Sequence, residues 1–472
     1  MNPNIFREYD IRGIVDVDLI EQTVTTLARA IGTFFRSNNT RRVAVGYDAR
    51  SSSPGFADLL TVGLNASGCD VVMIGKVTTP VLYHTVFTQE VDGGVMITGS
   101  HNPPDHNGFK ICLGKHTLFG SQIREIREIA FTGDFETGTG TIANLDVLKD
   151  YCADIAARIQ LGDRGRSPHE VKASPLKGVI DAGNGMGGVT AIPVYRSLGV
   201  ELVELFTEPD STFPNHHADP TVEENLQDLI VAVRESGADV GIAFDGDADR
   251  IGVVDETGRI MWGDELMVLF SREILARRPG STIIAEVKCS QTLFDDIEKR
   301  GGHAIMWKAG HSIIKSKMKE TGAVLAGEMS GHIFFEDRFY GFDDACYAGA
   351  RLLEILSDTD KPLSALLADL PKTFSTAEIR FACPDETKFE VAARIAEHFL
   401  ALGHPVNTID GARIDFTDGW GLVRPSNTQA ILVLRFEARS ADALAEIRSI
   451  VESKVNEVIA ELRAASGKDG LN

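Results

Sequence analysis

The chain has no apolar stretch approaching the roughly 18 residues that a membrane-spanning helix requires. Its amino terminus, Met1-Asn2-Pro3-Asn4-Ile5-Phe6-Arg7, carries no basic and apolar signal pattern. Its six cysteines, Cys69, Cys112, Cys152, Cys289, Cys346 and Cys383, form no Cys-x-x-Cys pair and no dense framework, which excludes a zinc ribbon and a secreted disulfide scaffold. Positive charge is scarce: 47 Lys and Arg stand against 68 Asp and Glu, a net charge of −21. A nucleic acid held through its phosphates is therefore not an expected partner, and a small anionic substrate would need a locally positive cleft. Low-complexity sequence is missing too, apart from the short Gly133 to Gly140 stretch, which reads as a loop. These absences predict a soluble, unexported protein of a reducing cytoplasm, with neither a membrane nor a nucleic acid as partner.

What is present reads as a large α/β protein. The 472 residues exceed one ordinary core and imply three or four domains, and 43% hydrophobic content with 45 Gly fits many loops. Residues 6–13 read, taken alone, as an exposed arm before a helical pattern with apolar Leu19, Ile20, Val24, Leu27, Ile31, Phe34 and Phe35. A strand at 43–48, a helix from about 54 to 64, a strand at 71–74, a helix after Pro80 and a strand at 95–97 follow. Strands alternating with helices imply parallel βαβ units. The same grammar recurs from Gly178 to Phe244, with a helix from Glu224 to Glu235, and again through strands at 283–288, 304–308 and 324–327. The glycines around Gly185 do not satisfy GxGxxG, so no nicotinamide cofactor is inferred. Beyond Pro371, a helix at 388–402, strands at 412–416 and 430–434 and a final helix at 441–462 predict a smaller α+β domain. The predicted domains are 1–147, 148–257, 258–370 and 371–472, and the three α/β blocks would bring their strand-end loops around a central cleft.

Four loops carry the chemistry. Val95-Met96-Ile97 runs into Thr98-Gly99-Ser100-His101-Asn102-Pro103-Pro104, which places Ser100 on a loop beyond a strand's carboxyl end, where α/β sheets bind ligands. Asp245-Gly246-Asp247-Ala248-Asp249-Arg250 follows an apolar strand. In an extended loop its alternate side chains point one way, so three carboxylates converge on one hard cation, for which magnesium is suited. An EF-hand is rejected, because Arg250 stands where that loop needs Gly and the flanks are strands. A haloacid-dehalogenase-like phosphatase would use Asp245 as nucleophile but leaves the Ser100 loop without a role. In Gly327-Glu328-Met329-Ser330-Gly331-His332, Glu328 and Ser330 can accept and donate hydrogen bonds to neighbouring hydroxyls. Arg424-Pro425-Ser426-Asn427-Thr428 offers a guanidinium fork, two hydroxyls and an amide, a set suited to a phosphate that is held but not transferred.

These loops, with Asp105-His106-Asn107-Gly108-Phe109-Lys110 after the first, strongly resemble those of the α-D-phosphohexomutases, the phosphomannomutase/phosphoglucomutase family. The resemblance implies that Ser100 carries a phosphoryl group and joins Asp245, Asp247 and Asp249 around Mg2+, and that Lys110, as a basic residue of the first loop, reaches the substrate. It further implies that Arg250 belongs to the metal loop, that Glu328 and Ser330 hold sugar hydroxyls, and that His332 lies near the reacting oxygen. Tyr9 and Arg12 match the family's amino-terminal YDIRG segment, while Lys288, Lys308 and His311 match ligand-facing segments. The implied catalytic set is Ser100, Lys110, Arg250, His332, His311 and Arg12. The implied substrates are glucose and mannose 1- and 6-phosphates, turned over through a hexose 1,6-bisphosphate by a monomer or homodimer. Two alternatives stand. Phosphoglucosamine mutase usually has Gly where this chain has Asn427 and lacks Met at the position of Met329; a catalytically silent sugar-phosphate sensor could share the fold. Family members often continue the last loop with Glu-Pro, where this chain has Gln429-Ala430.

Overall fold

The computed structural model describes residues 1–162, 175–426 and 430–465. The chain forms two compact units: Met1–Ile284, Asp296–Ala304 and Gly310–Ala368 make the first, while Ala285–Asp295, Ile305–Ala309 and the chain from Asp369 onward make the second. The sheets that follow are those of the described residues.

The first sheet orders its strands Ile11–Ile14, His106–Leu113, Gly93–Ile97, Arg42–Tyr47, Asp70–Lys76 and Ile142–Asn144, with His116–Thr117 beside His106–Leu113. From Gly93–Ile97 to Ile142–Asn144 the strands are parallel. Helix Glu21–Ser37 covers the sheet because Val24, Leu27, Ala28, Ile31, Phe34 and Phe35 recur three or four residues apart and fall on one face, where all are buried in the domain core. Helix Ser53–Ala66 joins it through Phe56, Leu60 and Leu64. The second sheet orders Ile260–Met261, Ile251–Asp255, Val240–Phe244, Lys177–Asp181 and Glu201–Leu205, and the third His303–Trp307, Thr282–Glu286, Leu325–Gly327 and Ile333–Phe335. Val240–Phe244 is buried along its whole length, as a continuous apolar run in a covered sheet should be.

In the second unit, antiparallel strands Ala412–Phe416, Gly419–Pro425 and Ile431–Ala438 carry helices Lys388–Ala401 and Ala441–Ala465. The helices bury Val391, Ile395 and Phe399, and Ile447, Val451 and Val455, against Ile414, Val423, Leu434 and Phe436. The architecture is three α/β blocks and a C-terminal α+β domain.

Two expectations are corrected. Parallel βαβ units describe only part of each α/β block, because the strand after each chemistry-bearing loop turns back. His106–Leu113 lies antiparallel to Gly93–Ile97, Ile251–Asp255 to Val240–Phe244, and Ile333–Phe335 to Leu325–Gly327. The segment read as an exposed arm is no arm either: Ile11–Ile14 pairs antiparallel with residues 106–109, and Ile11 is fully buried. A four-residue strand gives too little alternation to be read from sequence.

Candidate active site

The three antiparallel hairpins of the first unit each hold one loop at their turn. The strand before the first loop stops after Ile97, and Thr98 N still donates to Gly108 O across the hairpin. Ser100 is buried and left-handed, with φ at 49°, a conformation uncommon for a residue with a Cβ. Its backbone N donates to Thr98 Oγ1 at 2.8 Å. Its Oγ donates to Asp245 Oδ2 at 2.8 Å and lies 3.1 Å from His101 Nδ1. Burial, then Arg250, Arg12 and Lys110, push the His101 pKa well below the usual histidine range, so the ring is neutral.

Asp245, Asp247 and Asp249 converge, but not by the alternation of an extended loop. Residues 246–248 form a turn with Ala248 left-handed at φ 62°, and Asp245 Oδ1 accepts from the backbone N of Asp249 and of Arg250, both at 3.1 Å. One oxygen from each of the three carboxylates then lies within 4.8 Å of the others, with all three residues fully buried. Burial and its two neighbours push Asp245 well above the usual carboxylate range. For Asp247, burial raises the pKa but Lys110 outweighs it, and the carboxylate is held ionised. Asp247 Oδ1 and Asp249 Oδ1 accept no hydrogen bond although buried, which fits a donor set completed by a hard cation.

Lys110 is not on the loop, as the sequence reading has it. It stands on strand His106–Leu113, opposite Met96, and reaches Asp247 Oδ2 at 2.7 Å and Asp249 Oδ2 at 2.5 Å. Burial opposes its charge, but Asp247, Asp249 and Asp245 raise its pKa and keep it an ammonium. Arg250 Nε donates to His332 Nε2 at 2.9 Å, and His332 Nδ1 lies 3.0 Å from Asp343 Oδ2 and 3.6 Å from Asp249 Oδ1. The His311 ring stacks on His332 at 5.6 Å, and Tyr9 meets His311 edge-on at 6.0 Å. Arg12 pairs with Asp10 at 2.6 Å. In the third loop, Glu328 Oε1 accepts from Gly310 N, and Ser330 Oγ donates to Glu328 Oε2 at 3.4 Å. Ser100, Lys110, the Asp triad, Arg250, His332, His311, Glu328, Ser330, Tyr9 and Arg12 thus all belong to the first unit.

The second unit holds the rest of the sequence-derived set. Lys288 Nζ donates to Glu378 Oε1 at 2.6 Å and lies 3.5 Å from Glu286 Oε1. Burial opposes its charge, and Glu286 and Glu378 raise its pKa. Arg424 Nε donates to Asp410 Oδ2 at 2.6 Å, Ser426 is buried, and Lys308 is exposed. Asn427 and Thr428 lie outside the described residues.

Several contributors escaped the sequence reading. Thr79, at the start of helix Thr79–Thr88, donates its hydroxyl to Asp247 Oδ2, and its backbone N reaches Asp247 O at 3.1 Å. The Thr-Thr-Pro run marks a helix start, and Thr78 is indeed the cap, but nothing in it names the partner. Asp343, beside His332, and Asp48 and Arg50, beneath the Ser100 loop, have no local signature at all.

Four sequence families match the chain in order. They are phosphoglucomutase/phosphomannomutase alpha/beta/alpha domain I over residues 3–137, domain II over 149–258, domain III over 262–374, and the C-terminal domain over 378–454. The chain is 45% identical over 460 residues to the phosphomannomutase/phosphoglucomutase of Pseudomonas putida, covering 98% of this chain and 97% of that one. It is 45% identical over 461 residues to the phosphoglucomutase of Neisseria meningitidis, covering 96% and 98%. A crystal structure of a phosphoglucomutase/phosphomannomutase family protein from Burkholderia thailandensis superposes with a TM-score of 0.89 at 43% identity, covering 100% of this chain and 99% of that one. The chain belongs to the phosphoglucomutase/phosphomannomutase family. It is an isomerase of the intramolecular phosphotransferase kind.

The contact between the first two loops leaves no room for a side chain. A Cβ on Gly246 would stand 2.2 Å from Ser100 O, a backbone atom that cannot swing aside. Gly246→Ala should leave the far-ultraviolet circular dichroism unchanged while lowering mutase turnover about a hundredfold, as for a reacting group displaced by an ångström. Turnover within twofold or so of the parent would show that the two loops need not touch.

Proposed function

We propose that the chain interconverts the 1- and 6-phosphates of a hexose of either glucose or mannose configuration, starting from an enzyme phosphorylated on Ser100. The observation that carries the reading is the Ser100 hydroxyl 2.8 Å from Asp245 Oδ2, on the rim of three buried carboxylates two of which have an oxygen accepting no hydrogen bond. Phospho-Ser100 donates its phosphoryl group to the free hydroxyl of the sugar phosphate: the Oγ–P bond breaks, a sugar O–P bond forms, and the product is the hexose 1,6-bisphosphate. The sugar turns over, and its other phosphoryl group returns to Ser100. A divalent cation, magnesium by the hardness of its all-oxygen donors, would be held by Asp245, Asp247, Asp249 and the Ser100 group, and supplies positive charge opposite the transferring phosphoryl. Lys110, Arg250 and Arg12 add fixed positive charge, since positioning and electrostatics carry most of phosphoryl-transfer catalysis. The proton that leaves the attacking sugar hydroxyl would pass to one of the implied acid/base set of Lys110, His332, His311 and Arg12. Glu328 and Ser330 would hold ring hydroxyls, with Tyr9 beside them. Arg424, Ser426, Asn427 and Thr428 would hold the phosphate that is not transferred, and Lys288 and Lys308 would face the ligand. No helix of the described residues is long and apolar enough to cross a membrane.

Intact and tryptic mass spectrometry of the purified protein should find phosphate on Ser100, and Ser100→Ala should bind glucose 1-phosphate yet lose nearly all turnover. Phosphate on Asp245 would instead select the dehalogenase-like chemistry; turnover of glucosamine 1-phosphate in preference to both hexoses would select the amino-sugar mutase, and a protein that turns over none of the three would be a sensor. Asp247→Asn removes one negative ligand and should abolish cation-dependent turnover; calorimetric titration with Mg2+ should show weakened binding, and unaltered binding would reject this donor set. The two hexoses differ only at C2, so a grip on the C3 and C4 hydroxyls through Glu328 cannot tell them apart. Glu328→Gln should lower kcat/KM for both sugars together by about 1–3 kcal/mol, the cost of a charge-assisted hydrogen bond. A change of about tenfold in the ratio of the two, roughly 1.4 kcal/mol, would mean that Glu328 senses C2.

A further inference from the structure

We infer that Arg50 is the positioning residue of the nucleophile: its buried guanidinium fixes the backbone of the Ser100 loop in the one conformation that aims Oγ at the Asp triad. The inference rests on the reading that Ser100 carries the phosphoryl group. Arg50 Nη1 donates to Pro103 O at 2.5 Å and His106 O at 2.9 Å, and Nη2 donates to Ser100 O at 2.8 Å and Asn102 O at 2.5 Å. Three carbonyls of the loop and that of His106, where the next strand begins, therefore converge on one side chain, which is 2% exposed.

The geometry is closed on every side. Arg50 Nε lies 3.3 Å from Asp48 Oδ2, the same oxygen that accepts Gly99 N at 3.1 Å, so one carboxylate holds both the guanidinium and the loop. Asp48 Oδ1 accepts from Arg50 N at 3.0 Å and from Ser53 Oγ at 2.6 Å, and Asn107 Nδ2 at the far end of the loop donates to Ser53 Oγ at 2.9 Å. Phe213 covers the outer face, its ring 5.5 Å from the guanidinium carbon. A Cβ on Gly99 would fall 2.4 Å from Arg50 Cζ, so Gly99 is glycine because Arg50 passes there. A loop with a left-handed serine at its centre and prolines at 103 and 104 has few hydrogen bonds of its own to hold it, and a planar five-donor fork supplies them where a lysine cannot.

Arg50→Lys keeps the charge and removes the fork. With glucose 1,6-bisphosphate as phosphoryl donor, the rate at which Ser100 gains phosphate, read by rapid quench and intact mass, should fall about a hundredfold, and kcat should fall with it while KM for glucose 1-phosphate holds. Millimolar guanidinium added to Arg50→Ala should restore part of both rates. Wild-type phosphorylation rates in Arg50→Lys overturn the inference. So does a loss in kcat and KM together that follows melting temperature and is not rescued, because that marks a merely structural part. If Arg50→Lys does not fold, Gly99→Ala decides: it leaves Arg50 in place but forces guanidinium and loop apart, and must show the same split of kcat from KM. Wild-type protein that accepts no phosphate at Ser100 would sink the functional reading itself, whereas normal wild-type and normal Arg50→Lys phosphorylation would sink only this inference.

Discussion

Mutual repulsion among Asp245, Asp247 and Asp249 is the constraint on which the first unit is built. Two unit charges 4 Å apart interact by about 4 kcal/mol at the effective dielectric near 20 that suits such sites. Three carboxylates taken fully out of water on one turn therefore need answering charge from outside it. Much of that charge, and its supporting donors, come from another α/β block. Lys110 reaches across from the first sheet to two of the three, and Thr79, at the head of a first-block helix, gives Asp247 both a hydroxyl and a backbone N–H. Arg250, at the end of the turn itself, adds positive charge beside Asp245 and donates to His332 in the third block. The second block cannot bury its acidic turn unless the first is docked against it, so the same interactions that prepare a cation site also join the blocks.

How each loop is held explains where the chemistry sits. The Ser100 loop, the acidic turn and the Glu328 loop each lie where the chain reverses from one strand into an antiparallel neighbour. At such a reversal the turn is tethered at both ends, and the backbone groups of the loop are left to side chains and to other loops. Those groups are satisfied across blocks: Ile251 N donates to Gly331 O at 3.0 Å, and His217 reaches His101 O.

Much of this was legible in the sequence because it was written locally. The apolar run of Val240–Phe244 and the final helix's buried Ile447, Val451, Val455 and Val458 announce themselves by composition and spacing. The Asp-x-Asp-x-Asp spacing announced a cation site, although the carboxylates meet by way of a tight turn and not an extended loop. What stayed hidden depends on partners distant in sequence. His106–Leu113 begins in polar and glycine residues and continued a loop motif, so Lys110 passed for a loop residue. Arg50 follows a strand like any solvated arginine, and only the fold shows that its four acceptors lie 50 residues or more away.

Tethering at both ends also makes each loop a module. The two ends of a hairpin turn are one strand spacing apart, about 5 Å, whatever the turn contains. The segment between Gly327 and Ile333 is thus bounded by a paired register that does not depend on Met329 or Ser330. Substitution of the Met329 or Ser330 side chain leaves the strand pairing intact, whereas the backbone of the turn is fixed from outside it, by Ile251 N on Gly331 O and by the close approach of Gly263 to Glu328 O. Side chains at 329 and 330 are thus free to vary within a fixed turn, while the buried acidic turn, bound to three blocks at once, is not.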